Sequence, residues 1–312
     1  MKKLSNGIQL LLLDTILLIL MLLSLSIGRY SNNPIDLAKT ILGRLGIIAQ
    51  WDTAMENIVF YVRLPRIFAA ICVGGMLSLS GAVYQGIFQN PLVSPDLLGV
   101  SSGASVGAAI SILLGFDLIG RQVFAFLFGL LAVFLTTSIP KVFRNNTNMM
   151  MVLSGIIVGG FLSSILAIMK FLAEESTELS SIVFWQMGSV ASVKGREILA
   201  ISPIFVICST LLIFLAWRIN ILSFGEIEAK TLGINIKKTR GVIIVLTSLI
   251  TASAVSISGT IGWIGLVIPH LGRLTIGSDH TKLLPNTLLL GAIFMLVIDT
   301  LARTLTSRSE EH

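Results

Sequence analysis

The sequence predicts an all-α protein, a polytopic transmembrane helical bundle forming a single domain over residues 1–312. Three observations carry this. Charged residues make up 12% of the chain, about half the ~25% of an ordinary soluble domain and too few to wet a globular surface. Mean hydropathy is +0.92, and the apolar residues come in long continuous runs. Such runs approach the ~20 residues a helix needs to cross a bilayer, and they lack the alternation of a membrane barrel, whose segments are about ten residues long. The 28 glycines suit helices that pack closely in lipid.

The spans follow in order. The first run, Ile8–Ile27, is interrupted by Asp14. It is longer than a signal-peptide core and lacks a small-residue cleavage site before Arg29 and Tyr30, so it is read as an uncleaved helix. Next come Ile67–Val83, Leu97–Phe116, Gln122–Pro140, Met149–Met169 and Ile198–Trp217. The stretch Gly241–Leu271 is too long for one span. Gly259, Gly262, Gly265 and Pro269 break it into a full helix to about Ser258 and a shorter one beyond. Leu283–Ile298 is last, giving about nine spans. Cys72 and Cys208 lie within apolar runs, as small packing residues do, and not as a disulfide or metal pair.

Lys and Arg in the short loops set the orientation. The densest basic loop, Arg218–Arg240, is assigned to the cytoplasm together with Lys2, Lys3, Lys141, Arg144, Arg273 and Lys282. The N-terminus is then cytoplasmic and, with nine spans, the C-terminus is outside. The basic residues are scattered between apolar runs, which excludes a nucleic-acid stripe.

Three loops carry more than a connection requires. In Asn33–Asn57, Pro34 can open a short amphipathic helix capped by Asn33. Ser80–Ala104 joins two spans almost without charge and contains Pro91 and Pro95, each disfavouring helix at the residue before it. It is either a buried turn or a constriction beside a path, because irregular backbone at membrane depth must be buried in protein or line a cavity. In Asn220–Arg240, Gly225 precedes a short helix over Glu226–Leu232, Glu226 and Lys230 form an i,i+4 pair, and Gly233 stops the helix. Such a capped helix is a surface for another cytoplasmic protein, or a solvated turn.

The sequence has no G-x-x-x-x-G-K-[ST] loop for nucleotide. His270, His280 and His312 are scattered, with no metal-ligand spacing around them. Within the spans the acids are Asp14 and Asp299, both expected near span ends, so the path lacks an evident ion-coupling group. No paired nucleophile and base marks an intramembrane enzyme. A secondary carrier remains the competing class. Active transport would otherwise draw its energy through the cytoplasmic helix.

Several segments together resemble the FecCD family of ABC importer permeases. They are RLPR at Arg63–Arg66, GAVYQGIFQNPLVSPDLLGVSSGA at Gly81–Ala104, FGEIEAKTLGI at Phe224–Ile234, GTIGWIGLVIPHLGR at Gly259–Arg273, DHTKLLP at Asp279–Pro285 and DTLAR at Asp299–Arg303. They occur in family order and cover nearly the whole chain. The resemblance implies a permease that pairs with a second permease, with a cytoplasmic ABC ATPase that uses the ATP, and with an extracytoplasmic substrate-binding protein. No cofactor is expected on the chain itself. The implied substrate is an iron complex, a ferric siderophore by family frequency, with haem or cobalamin as alternatives. The implied coupling helix contains Gly225, Glu226, Ala229, Lys230, Leu232 and Gly233. Arg63, Arg66 and Arg303 match the positions that dock the binding protein's acids and are expected to be exposed. The implied gate lies at Asn90, Pro91 and Leu92 with Thr147 and Asn148; Ser154 and Ser163 either line the path or pack helices. Family members continue into a tenth span after the D-x-x-A-R segment. This sequence ends in TSRSEEH, so the last helix is expected to be missing.

Overall fold

The computed structural model describes residues 6–27, 34–44, 46–47, 53–145 and 147–305. Every regular element among them is a helix. Helix α1 (Asn6–Ser26) leads to α2 (Pro34–Arg44) and α3 (Thr53–Asn57). A π-helical turn, Ile58–Arg63, then runs straight into α4 (Leu64–Ile87). After α5 (Val100–Leu113), α6 (Leu118–Val142) and α7 (Asn148–Leu172) comes the short α8 (Ser180–Met187). Helix α9 (Gly195–Phe214) passes into α10 (Ala216–Phe224) and α11 (Glu226–Thr231), and α12 (Ile236–Ser258), α13 (Ile264–Ile276) and α14 (His280–Leu305) complete the described elements.

Each of the nine expected runs lies on a helix, but helix length does not establish nine crossings. Among the described residues seven helices are long and apolar enough: Asn6–Ser26, Met55–Ile87, Leu118–Val142, Asn148–Leu172, Gly195–Phe214, Ile236–Ser258 and His280–Leu305. Helices α5 and α13 have 14 and 13 residues. At 1.5 Å per residue they reach about 20 Å, short of the ~30 Å hydrocarbon core. The expected Asn33 cap and the TSRSEEH tail lie outside the described residues.

Helix α4 is the axis of the bundle, with 89% of its most apolar window buried. It packs against α9, α12, α13 and α14. Glycine makes this possible. A Cβ at Gly74 would overlap the carbonyl of Gly291 on α14, and one at Gly81 would overlap the carbonyl of Gly265 on α13. Where no hydrophobic effect drives helices together, such backbone approach supplies the packing contacts that do. Helix α1 is the opposite case: it packs along α14 and leaves most of its apolar side chains on the outside.

Helix α12 is the second core helix, and several of its hydroxyls bond to its own carbonyls or to α4. Thr247 donates to the Ile243 carbonyl at 2.7 Å, and Thr251 to the Thr247 carbonyl at 2.8 Å. The hydroxyls of Ser248 and Tyr84 meet at 3.0 Å, and Thr251 also donates to Ser80 at 3.0 Å. A buried hydroxyl left unbonded is costly in an apolar setting, so these pairs fix the α4–α12 register. The helix ends at Ser258, where Gly259 takes a positive φ of 68°, and α13 starts five residues later. Cys72 and Cys208 are buried and unbridged.

The expected loop Ser80–Ala104 is much shorter than the sequence suggested. Ser80–Ile87 stay helical in α4, and Val100–Ala104 already belong to α5. Only residues 88–99 are irregular, because the prolines disfavour helix only at and just before their own positions. Within it Phe88, Val93, Pro95 and Leu98 are buried in protein, whereas Gln89–Leu92 and Asp96 are exposed. Gln85 donates to the Val93 carbonyl at 3.1 Å, and Thr136 donates to the Leu98 carbonyl at 3.0 Å.

Candidate functional site

One end of the bundle carries the short helix α11. Gly225 precedes it with φ 139° and Gly233 follows it with φ 75°, both in backbone that an L side chain rarely adopts. The two glycines turn the chain out and back. Ala229 faces inward and is fully buried, whereas Phe224, Ile227 and Leu232 are at least 60% exposed. Phe224 and Ile227 were not singled out in the sequence, although three-residue spacing around a capped turn was the available signal.

The expected Glu226–Lys230 pair does not form. Glu226 accepts instead from Arg240 Nη2 at 3.0 Å. Helix α12 folds back beside α11 and brings a buried guanidinium to the carboxylate. A partly buried cation outcompetes a solvated lysine whose own pair is worth only a few tenths of a kcal/mol, ~0.2–0.5.

Helix α10 is tied to the bundle at two points. The Gln89 amide donates to the Leu222 carbonyl at 2.9 Å, with Gln89 itself at φ 54°. Asn220 Oδ1 accepts from the His280 backbone N–H at 2.7 Å and faces His280 Nδ1 at 2.8 Å, while its amide donates to Asp279 Oδ1 at 2.7 Å. Hydrogen bonds from the Thr281 hydroxyl and the Asn220 amide hold the Asp279 carboxyl below the usual carboxylate range. The His280 ring packs onto Gly86 of α4, where a Cβ would overlap it. A displacement of α10–α11 therefore reaches α14 through Asn220 and the end of α4 through Gln89.

The expected gate residues sit near the same end. Asn90, Pro91 and Leu92 are exposed, and Asn90 Oδ1 accepts from the Leu92 N–H at 2.9 Å, closing a tight Asx turn. Thr147 caps α7, its hydroxyl accepting from the Met150 N–H at 3.3 Å, and Asn148 is the first residue of that helix. Among the described residues no hydrogen bond joins the two turns. They are linked indirectly, since α7 crosses the Pro95–Leu98 turn with Gly155 pressed against the Leu97 carbonyl. Ser154 is buried and donates to its own helix, whereas Ser163 is exposed.

At the opposite end the three arginines are not exposed, which corrects the expectation. Arg63 is fully buried and donates to the Leu25 carbonyl at 2.8 Å. Arg303 is 6% exposed and donates to the Ser24 carbonyl at 2.6 Å and to its hydroxyl at 3.1 Å. Arg66 Nε pairs with Asp299 at 2.9 Å. The physical reason is the C-terminus of α1, whose last carbonyls lack helical partners and carry the negative end of its dipole. Two guanidiniums satisfy it. Asp299, expected near a span end, pairs with Arg66. Asp14, expected near a span end, is the ninth of the 21 residues of α1. Among the described residues no group of three or more His, Cys, Asp or Glu could hold a metal ion.

The chain thus carries a short helix with exposed apolar side chains at one end and surrounds a glycine-packed axis with apolar helices, the plan of a multi-pass membrane permease. It belongs to the FecCD transport family, which matches residues 16–312, and is an ABC importer permease of that family. It is 40% identical over 294 residues to the molybdate import system permease protein MolB of Haemophilus influenzae, covering 94% of this chain and 87% of that one. It is 33% identical to the hemin transport system permease protein HmuU of Yersinia pestis, over 94% and 88% of the two chains. It is also 33% identical to the vitamin B12 import system permease protein BtuC of Escherichia coli, over 96% and 88%. A solved structure described as an inward-facing, metal-chelate type ABC transporter superposes with a TM-score of 0.85 at 40% identity, covering 96% of this chain and 92% of that one. ABC permeases work with an ATPase subunit.

Proposed function

We propose that this permease carries an iron complex, a ferric siderophore, across the cytoplasmic membrane, with its N-terminus in the cytoplasm. It pairs with a second permease, takes substrate from an extracytoplasmic binding protein, and is driven by a cytoplasmic ATPase that seats on α11 and uses the ATP; the chain itself needs no cofactor. The observation that carries the coupling is the outward display of Phe224, Ile227 and Leu232 around two positive-φ glycines, with α10 hydrogen-bonded to Gln89, just past α4, and to His280 at the start of α14. The basic loop Arg218–Arg240 surrounds that display and supports a cytoplasmic placement. The gate is assigned to Asn90, Pro91 and Leu92 with Thr147 and Asn148.

Docking of the binding protein is assigned to the other end. Because Arg63, Arg66 and Arg303 already hold carbonyls and a carboxylate, an acidic partner would have to draw them away from these groups. The coupling assignment is tested by Glu226→Arg and Gly233→Pro, which abolish uptake while the protein still inserts. Normal uptake by both would sink it.

A second substrate reading is favoured by the MolB relative at 40% identity: an oxyanion such as molybdate. Co-purifying the complex with its binding protein and measuring the retained metal separates the two. Iron with an organic chelator supports the first reading, and molybdenum overturns it.

A further inference from the structure

A half-open groove of about 580 Å³ runs between α6, α7 and α12. Its walls are apolar, among them Val133, Ile244 and Leu249, and three cations, Lys141, Lys237 and Arg240, line it as well. All three belong to the same end of the bundle: Lys141 is in the last turn of α6, and Lys237 and Arg240 are in the first turns of α12. From Lys237 to Leu249 the groove follows α12 for about 18 Å at 1.5 Å per residue, a little over half the ~30 Å hydrocarbon core. It therefore has one charged mouth at the membrane surface and a greasy channel reaching toward the midplane.

Arg240 makes this a built site and not only a crevice. It is 8% exposed, so more than nine-tenths buried, yet its Nε has no hydrogen-bond partner. Its Nη2 holds Glu226 of α11. An unpartnered guanidinium N–H is costly in an apolar setting, and an anionic oxygen is what it accepts best. The neighbouring lysines add the charge that draws phosphate, and basic pockets between transmembrane helices at the cytoplasmic surface recognise anionic headgroups by this logic.

We infer that the groove holds one anionic phospholipid of the adjoining leaflet, its phosphate on Lys141, Lys237 and Arg240 and an acyl chain along Val133, Ile244 and Leu249. The cytoplasmic leaflet is meant, and that clause rests on the orientation proposed above; the binding itself does not. Since Arg240 reaches Glu226 with another nitrogen, the lipid phosphate and the coupling helix share one side chain. Occupancy by lipid fixes the guanidinium that positions α11.

The test uses the intact complex exchanged into vesicles of phosphatidylglycerol or of phosphatidylcholine, then extracted in mild detergent and analysed by native mass spectrometry. Phosphatidylglycerol stays with the permease and phosphatidylcholine does not. Lys141→Gln with Lys237→Gln weakens retention by about 25-fold, from roughly one unit of surface charge interaction per lysine. Val245→Trp, on the exposed wall of the groove, blocks the acyl channel and removes the lipid with all cations in place. Lys170→Gln, on α7 outside the groove, changes nothing. Equal retention of the two lipids, or full retention by the Lys141/Lys237 variant, overturns the proposal. So does a crosslink to a partner subunit from Val245→Cys carrying a thiol-reactive photo-crosslinker, which would show the groove covered by protein. Lipid retention is read without uptake, so a wrong substrate or orientation leaves the result interpretable.

Discussion

The two ends of the bundle treat their charges in opposite ways. At one end Arg63, Arg66 and Arg303 turn inward onto carbonyls and a carboxylate. At the other, Glu226 stays half exposed beside a row of exposed apolar side chains. The first end is built for cohesion, with charge consumed by the fold. The second is built for contact, with charge and apolar surface held out at little cost to the fold. Stability should therefore concentrate at the arginine end and coupling at the α11 end, and four substitutions separate these properties.

The largest stability loss is expected for Arg66→Ala. It leaves Asp299 buried without its cation, and breaking a buried pair costs about 3–5 kcal/mol. Thermal unfolding in detergent should show it, and Arg66→Met with Asp299→Leu should recover most of it. An unchanged midpoint for Arg66→Ala would mean that the end is wetter than its burial implies. Arg303→Met comes next, losing charged hydrogen bonds to Ser24 worth about 1.5–3 kcal/mol. Glu226→Ala should shift the midpoint by less than Arg66→Ala, because the carboxylate removed is itself about half exposed. Its uptake should nonetheless fall well below that of wild type, and a large stability loss with normal uptake would reverse the comparison.

The smallest effect is a pH dependence at Asp279. Its carboxyl is held low in the fold, so its contribution is present above the unfolded value of ~3.9 and is lost as pH falls through the lower folded value. The difference in unfolding midpoint between wild type and Asp279→Asn should therefore shrink below about pH 4. A difference that grows on acidification would contradict the assignment.

The elements that glycine punctuates were legible from the sequence. Gly225 and Gly233 bracket α11, and Gly259 separates α12 from α13, because a positive φ is a local requirement that one residue type meets cheaply. The ion pairs were not legible in the same way. Glu226 has a lysine at the favourable spacing but chooses Arg240, fourteen residues away, because α12 returns beside it. The arginines of RLPR and DTLAR were assigned to the surface by resemblance, yet the direction of Arg63 and Arg303 is set by the end of α1, 38 and 279 residues earlier, and that of Arg66 by Asp299. No local pattern announces which carbonyls a guanidinium will meet. The same holds for Gln89 and Asn220, whose partners come from other helices.

The π-helical turn Ile58–Arg63 has a consequence for how the chain tolerates change. Such a turn is equivalent to one extra residue let into an α-helix. It resets the angular phase between the segment before it and α4, by about 100° for one residue at 3.6 per turn. Side chains upstream can thus turn without rotating the glycine face that α4 offers to α13 and α14. The turn works as a phase joint: sequence drift in the segment from α2 to α3 is absorbed there, and the packed axis keeps its register.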